Sequence, residues 1–410
     1  MHGRVQQTAR LLRANERLLM ICGSTVLVMA GQGMVSPVLP LYADEFGVTT
    51  AQIGLTMTMF GLARMIFNVP MGVLADRHGR RPLLVGGPMV VAVGMIGSGL
   101  APTFAMLLLW RFVAGVGSAA YMTGAQIYLI DISEPRNRAR HVAVNQGALL
   151  LGVSIGPGIG GLIAEIAGLT APFIVVGLLA LVAAAYAWLR LPETVGSAAT
   201  TAVPQTGREN RRAVRHFLTS RDFVALAWVS MAVFTVRAGA NNTLVPLLAE
   251  GEFGWGPGEI GLLFSVAAFV GLVLIGPAAW IADRFGRKVA IVPTGLIAAA
   301  GIASVALAPT AAWLVAGVLL IAVGSGVSGP APAAYTADIA PPEIRGVAMG
   351  MYRTAGDLGI VVAPPVLGWL ADRSSISTAL LINAAFVAGS ALWFLVAARE
   401  RPVQVPSRRP

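Results

Sequence analysis

Charge is scarce in this chain. Asp, Glu, Lys and Arg make up 12% of its 410 residues, against 56% hydrophobic residues and a mean hydropathy of +0.75. A water-soluble globule of that composition would have nowhere to put its apolar surface, so that class is excluded. Cysteine is all but absent: Cys22 stands alone, which rules out an intrachain disulfide framework or a thiolate metal cluster. The four histidines, His2, His78, His141 and His216, fall in polar stretches between apolar runs. Imidazole is thereby removed from any proton path through the apolar segments, and neither a metal site nor a cofactor is expected. Lysine is reduced to Lys288 beside a large arginine complement, the mark of a GC-rich bacterial genome.

Apolar runs are what the chain has in quantity. Twelve can be marked, at 18–41, 52–75, 82–101, 104–128, 142–164, 170–190, 222–248, 260–282, 289–308, 311–336, 347–370 and 376–397. Each supplies the roughly 20 residues that a membrane-spanning helix needs. Most of the 48 Gly and more than half of the 25 Pro lie inside these runs rather than in linkers, as membrane helices tolerate. The first run follows a basic stretch (Arg4, Arg10, Arg13, Arg17), yet it is too long for a signal-peptide core and has no small-residue cleavage site, so it reads as a retained helix. The fold class expected is an all-α membrane protein of twelve transmembrane helices in two pseudo-symmetric six-helix bundles.

Basic residues orient the spans. With the N-terminus inside, 24 of the 29 Lys and Arg lie in cytoplasmic segments, one (Arg373) lies outside and four fall within helices. The net charge of +10 is therefore a topology signal, and both termini are expected in the cytoplasm of a bacterial cell with the chain in its inner membrane. Nucleic-acid binding needs an exposed basic domain with interleaved aromatics; here the charge is scattered over short loops, and no nucleic-acid partner is expected. The polar segment Pro192–Ser220 divides the chain into an N-terminal bundle (1–191), a cytoplasmic linker (192–220) and a C-terminal bundle (221–410).

The two bundles are copies. Ala75-Asp76-Arg77-His78-Gly79-Arg80-Arg81 returns 207 residues later as Ala282-Asp283-Arg284-Phe285-Gly286-Arg287-Lys288. The same offset relates Asp131 to Asp338, Arg138 to Arg345, Gly152 to Gly359, Pro157 to Pro364, Gly161 to Gly368 and Glu165 to Asp372, which is duplication. Pro40 and Pro246 match at 206, so one residue is gained between the first two helices of the second copy.

Motifs in these positions resemble the major facilitator superfamily, and within it the twelve-helix drug:proton antiporter branch. Gly72-x-x-x-Asp76-Arg77-x-Gly79-Arg80-Arg81-Pro82 is similar to the signature of the loop between helices 2 and 3. There Gly79 allows a turn with positive φ and Pro82 opens the next helix. The resemblance implies a cytoplasmic conformational latch of Gly72, Asp76, Arg77, Gly79, Arg80 and Asp131, repeated by Asp283 and Arg284, with Asp76 docked on the start of helix 11 and Arg80 on Asp131. In the second copy Ala279 replaces the first Gly. Gly152-x-x-x-Gly156-Pro157-x-x-Gly160-Gly161 in helix 5 is similar to the antiporter motif. Physically it is a small-residue stripe for close helix approach, with Pro157 freeing the Val153 carbonyl. Leu108 to Gly117 resembles the helix 4 motif whose Arg, here Arg111, is linked to proton transfer. Pro37-x-x-Pro40-x-Tyr42 resembles a helix 1 motif.

Five ionisable residues well inside the spans have no counterpart in the other copy: Arg64, Arg111, Arg237, Arg353 and Asp357. A charge at that depth costs at least about 3 kcal/mol, so each needs a partner or a wet cavity. Asp357 is the one acid among them, about 15 Å from the inner end of its helix. Proton coupling is accordingly assigned to Asp357, Arg353, Arg64 and Arg111, although an intrahelical Arg353–Asp357 pair is the structural alternative. Gln32, Tyr121, Gln126, Arg237, Asn241 and Tyr352 are candidate lining for a substrate cavity, with interhelical hydrogen bonding as the alternative for each. The function expected is proton-coupled efflux of small molecules, drug or metabolite, by alternating access, which would make the chain a multidrug-resistance type of antiporter. The other reading is a proton-coupled importer or facilitator of sugars or other metabolites. No His/Cys/carboxylate cluster lies inside the spans, so an enzyme is not expected. The partners expected are a small-molecule substrate, protons and the lipid bilayer, with the chain acting as a monomer.

Overall fold

In the computed structural model, residues 2–133, 137–193, 214–328, 331–341 and 344–399 are described. Most of the polar 192–220 segment, and the side chains of Asp283 and Arg345, lie outside that description. Twelve helices among the described residues are long and apolar enough to cross a membrane. They are α1 (Glu16–Val35), α2 (Thr50–His78), α3 (Arg81–Gly99), α4 (Phe104–Asp131), α5 (Arg140–Ala167), α6 (Ala171–Arg190), α7 (Arg221–Phe253), α8 (Pro257–Ala282), α9 (Arg287–Ala306), α10 (Ala311–Ile339), α11 (Val347–Arg373) and α12 (Ile376–Ala397).

The chain forms two compact units. The first comprises Met1–Val48, Leu55–Ala202 and Trp255–Ser265; the second comprises Thr49–Gly54, Val203–Gly254 and Val266–Pro410. Each sequence half thus lends one helical start to the other unit: the first turn of α2 belongs to the second unit, and the first turns of α8 belong to the first.

Within the first unit α1 packs on α5 and α6, and α3 packs on α4 and α6; within the second, α7 packs on α11 and α12, and α9 on α10 and α12. Small residues set these approaches. A Cβ added to Gly94 would meet the Ala114 backbone, and one on Gly117 the Val91 backbone; the repeat places Gly301 against Ile321 and Gly324 against Ala298 in the same way. Lipid tails offer no hydrophobic drive between helices, so such close backbone approach is what binds the bundle. Leu19, Val69, Trp188, Leu189 and Val396 are more than half exposed, the surface a bilayer would cover.

Helix α7 departs from the pattern. Its middle, Thr235–Leu244, is π-helical between α-helical Arg221–Phe234 and Val245–Phe253. Before this stretch Gly359 of α11 meets Met231 and Thr235, as Gly152 of α5 meets Val26 and Ala30, an offset of 205 within the pair α1/α7. Within it, Gly239 already meets Ala363 as Gly33 meets Gly156, an offset of 206. The π-helical stretch therefore carries one inserted residue, in addition to the one gained before α8.

Candidate functional site

The loop joining α2 and α3 turns at Gly79, whose φ of +96° is the conformation that favours glycine; Gly286 repeats it at +100°. The turn delivers Arg80 to α4, where its Nε lies 2.7 Å from Asp131 Oδ2. Nε itself makes no aligned hydrogen bond, so this approach is one of charge. The Asp131 side chain is 1% exposed and that of Arg80 11%, so this is a nearly dry ion pair. Arg80 also donates to the Ala75 carbonyl at 3.1 Å and stands 3.8 Å from Asp76. Asp76 itself is 61% exposed, and Arg77 is exposed as well. The other partner expected for Asp76, the start of α11, belongs to the second unit and stays an expectation. Gly72 faces open space beside Thr123.

Sequence reasoning missed the residue that braces this loop. Glu193, just after α6, accepts from Arg80 N at 3.0 Å and from Arg81 N at 3.1 Å, so its carboxylate caps two orphan donors at the start of α3. A Cβ on Gly79 would run into that carboxylate, a second reason for glycine there. Arg81 in turn donates to the Trp188 carbonyl at 2.6 Å, and its counterpart Lys288 donates to the Leu395 carbonyl at 3.0 Å, each basic group closing the C-terminal end of a neighbouring helix.

In the second copy Arg287 meets Asp338 at 3.2 Å, but here the side chains are 26% and 48% exposed. Arg284 is drawn instead over the Trp280 and Phe285 rings, at 5.5 and 5.8 Å from their centroids.

The α5 stripe lies on α1. Cβ atoms on Gly152, Gly156 and Gly160 would strike the backbone carbonyls of Val26, Ala30 and Met34 in turn. A Cβ on Gly33 would meet the Pro157 ring at 3.0 Å and the Val153 carbonyl at 3.2 Å, so the carbonyl released by Pro157 faces a residue too small to cover it. Gly161 turns the other way, onto Pro257 and Gly261 of α8.

Among the intramembrane charges, Arg111 is 4% exposed. Its Nε donates to the Thr56 carbonyl at 3.4 Å, its Nη1 lies 3.9 Å from Met95 Sδ, and the guanidinium sits 4.8 Å from the Phe60 ring centroid. These partners are a carbonyl, a thioether and a ring, with no carboxylate among them. Arg64 and Asp357 are half-buried, while Arg237 and Arg353 are exposed.

The candidate cavity residues divide. Tyr121 is fully buried, its hydroxyl bonded to Ser24 at 3.0 Å and within 3.2 Å of Thr25, which makes it a strut between α4 and α1. Gln32 donates to Ser118 at 2.9 Å, again between α1 and α4. The backbone carbonyl of Tyr352 accepts from Ser230 at 3.2 Å, and Gln126 is exposed. Asn241 belongs to the π-helical stretch and keeps a buried Oδ1 with no partner. Asn383 of α12 is a second buried amide, with neither side-chain atom bonded. Among the described residues no group of three or more His, Cys, Asp or Glu is arranged to hold a metal.

Twelve spans in a duplicated arrangement, a bridged loop between α2 and α3, and charged residues retained at membrane depth define a polytopic membrane carrier. The family model of the Major Facilitator Superfamily matches residues 21–248 and 226–410, and the chain belongs to that family, whose members are transporters. An uncharacterised MFS-type transporter of Methanocaldococcus jannaschii is 25% identical over 363 residues, 88% of this chain and 93% of that protein. Multidrug resistance protein 1 of Bacillus subtilis is 25% identical over 369 residues, 88% of this chain and 91% of that one. A bacterial homologue of the human lysosomal transporter Spinster, solved in an inward-facing and occupied conformation, superposes with a TM-score of 0.79 at 16% identity, covering 93% of this chain and 96% of that one; the likeness is one of fold.

Proposed function

We propose that this carrier is a proton-coupled efflux antiporter of small molecules, drug or metabolite, working by alternating access as a monomer in the bacterial inner membrane with both termini cytoplasmic. The observation that carries the direction of transport is the α5 stripe seated on α1: three glycines at spacing four, with Gly156-Pro157 at its centre, hold two backbones in contact along their length. Similarity to Multidrug resistance protein 1 of Bacillus subtilis supports the same reading. The α2–α3 loop, with Arg80 on Asp131, acts as the cytoplasmic latch, and residues 1–191 and 221–410 act as the two moving bundles. Asn241, with its unpartnered buried oxygen, contributes a polar handle for substrate.

Proton coupling is assigned to Asp357 with Arg353, Arg64 and Arg111. A guanidinium beside a carboxylate favours its charged form, and departure of that cation favours proton uptake. A change of cationic partner during the cycle would therefore load and release a proton. Inside-out vesicles under an imposed pH gradient test the whole reading with a panel of drugs and organic acids. Gradient-driven uptake into them is expected, and Asp357→Asn should keep substrate binding and exchange while losing accumulation. Uphill transport by Asp357→Asn with unchanged pH dependence would remove Asp357 from the coupling site. Movement in the opposite direction would make the protein an importer.

A further inference from the structure

The first turn of α2 exposes four backbone N–H groups that the helix itself leaves unbonded. Thr49 answers one: its hydroxyl accepts from Gln52 N at 3.3 Å, while the Gln52 side chain accepts from Thr49 N at 2.9 Å, a reciprocal capping box. Ile53 N reaches the Thr49 carbonyl at 2.9 Å. The two donors left over, Thr50 N and Ala51 N, go to a residue 321 or more positions away: Asp372 accepts them on Oδ1 at 2.8 Å and on Oδ2 at 2.9 Å. Nothing within α2 satisfies these two groups, so Asp372, at the last turn of α11, completes the helix start.

The same construction exists in the other copy, in weaker form. Glu165 occupies the position of Asp372, and its carboxylate stands against Gly258 in the first turn of α8. There Pro257 replaces Thr50 and deletes one donor, and Glu259 repeats Gln52 by accepting from Gly256 N at 3.0 Å. Below each acid the helices touch through matched small residues, Gly54 on Pro364 and Gly261 on Pro157, 207 residues apart in both members.

The division of the chain gives these contacts their meaning. Residues Thr49–Gly54 belong to the second unit and α2 from Leu55 onward to the first. If the units move against each other, α2 can follow the first only by giving up Asp372.

We infer that Asp372 is an outer gate residue: its two hydrogen bonds to the first turn of α2 hold one end state of the carrier, and their release is a step of the transport cycle. Glu165 is the lesser partner gate on α8. The inference rests on the alternating-access reading above, and it adds the group that must let go. Asp372 and Glu165 are positioning residues; neither need touch substrate.

The test uses the full-length protein in cells or proteoliposomes, with Cys22→Ser and Ile53→Cys. Ile53 is 2% exposed, one turn into α2, and is reached by a membrane-impermeant thiol reagent from outside only when the start of α2 lifts away. Loss of both hydrogen bonds in Asp372→Ala should raise the labelling rate about fivefold, the equivalent of one helix cap. Asp372→Asn retains an oxygen that accepts one of the two donors and should change the rate by about twofold. Thr50→Pro removes a single donor at a position where the other copy already carries proline, and should also raise it about twofold even if Asp372→Ala does not reach the membrane. Glu165→Ala should have a smaller effect than Asp372→Ala. Labelling unchanged in both Asp372→Ala and Thr50→Pro would overturn the inference. Because labelling is read without any driving gradient, a failure of proton coupling leaves this outcome intact and is seen separately in the vesicle assay.

Discussion

Arg80–Asp131 and Arg287–Asp338 are the same ion pair, drawn twice by duplication, in different surroundings. Replacing Arg80 by Ala takes a partner at 2.7 Å from Asp131, whose side chain is 1% exposed. Breaking a buried pair from one side costs about 3 to 5 kcal/mol. Arg80→Ala also leaves the Ala75 carbonyl without this donor, which adds to the loss. Replacing Arg287 leaves Asp338 half in water, where such a pair is worth roughly 0 to 1 kcal/mol. With about 2 to 4 °C of midpoint per kcal/mol for units of this size, Arg80→Ala should lower the unfolding midpoint by about 6 to 20 °C and Arg287→Ala by no more than about 4 °C. Intrinsic tryptophan fluorescence of the purified protein in one detergent, heated at one scan rate, reads both. The double variant Arg80→Ala/Asp131→Ala should recover part of the loss, since the dry carboxylate leaves together with its cation. Equal shifts for Arg80→Ala and Arg287→Ala would show that burial of the first pair carries no energetic weight.

Three further outcomes are expected. Gly156→Leu should insert and express but barely transport, because its side chain would meet the α1 backbone at Ala30 and Met34; wild-type turnover would refute the stripe as a moving contact. Glu193→Ala should lower the unfolding midpoint by about 2 to 4 °C through loss of roughly 1 kcal/mol of capping at α3, while Glu193→Gln, still an acceptor, should lose less; an unchanged midpoint in the Ala variant would deny the brace. Deleting Ala240 should let α7 run as a plain α-helix like α1, turning Asn241 by about 100° around the axis; the protein should still reach the membrane, and full transport would show that the inserted residue serves no purpose.

Much of the architecture is a matter of local chemistry and was readable as such. Twelve runs of apolar residues must become helices in a bilayer, because no other open structure satisfies backbone hydrogen bonds there. A register held at 207 residues from Asp76 to Glu165 implies two copies of one bundle. The turn at Gly79 follows from its own motif, while the meeting of Arg80 with Asp131 was implied by the resemblance of that motif to the family's. The offsets of 206 and 207 on either side of the loop before α8 record the residue gained there, whereas the insertion inside α7 was invisible because an extra residue in a largely apolar run changes no local pattern.

Tertiary structure decided the rest, and the reason is distance along the chain. Glu193 and Asp372 are single acids in polar end segments, alike in sequence to any solvated carboxylate; only the folded chain brings one 113 residues back to Arg80 N and the other 322 residues back to Thr50 N. Burial is equally unreadable from residue type: Arg80–Asp131 and Arg287–Asp338 are chemically identical pairs, and packing alone makes the first dry and the second wet. Sequence by itself determined the membrane, the helices, their duplication and the identity of the charges, because each follows from composition and period. Which donors those charges satisfy, and how far water is kept from them, depended on the packing of helices remote in the chain.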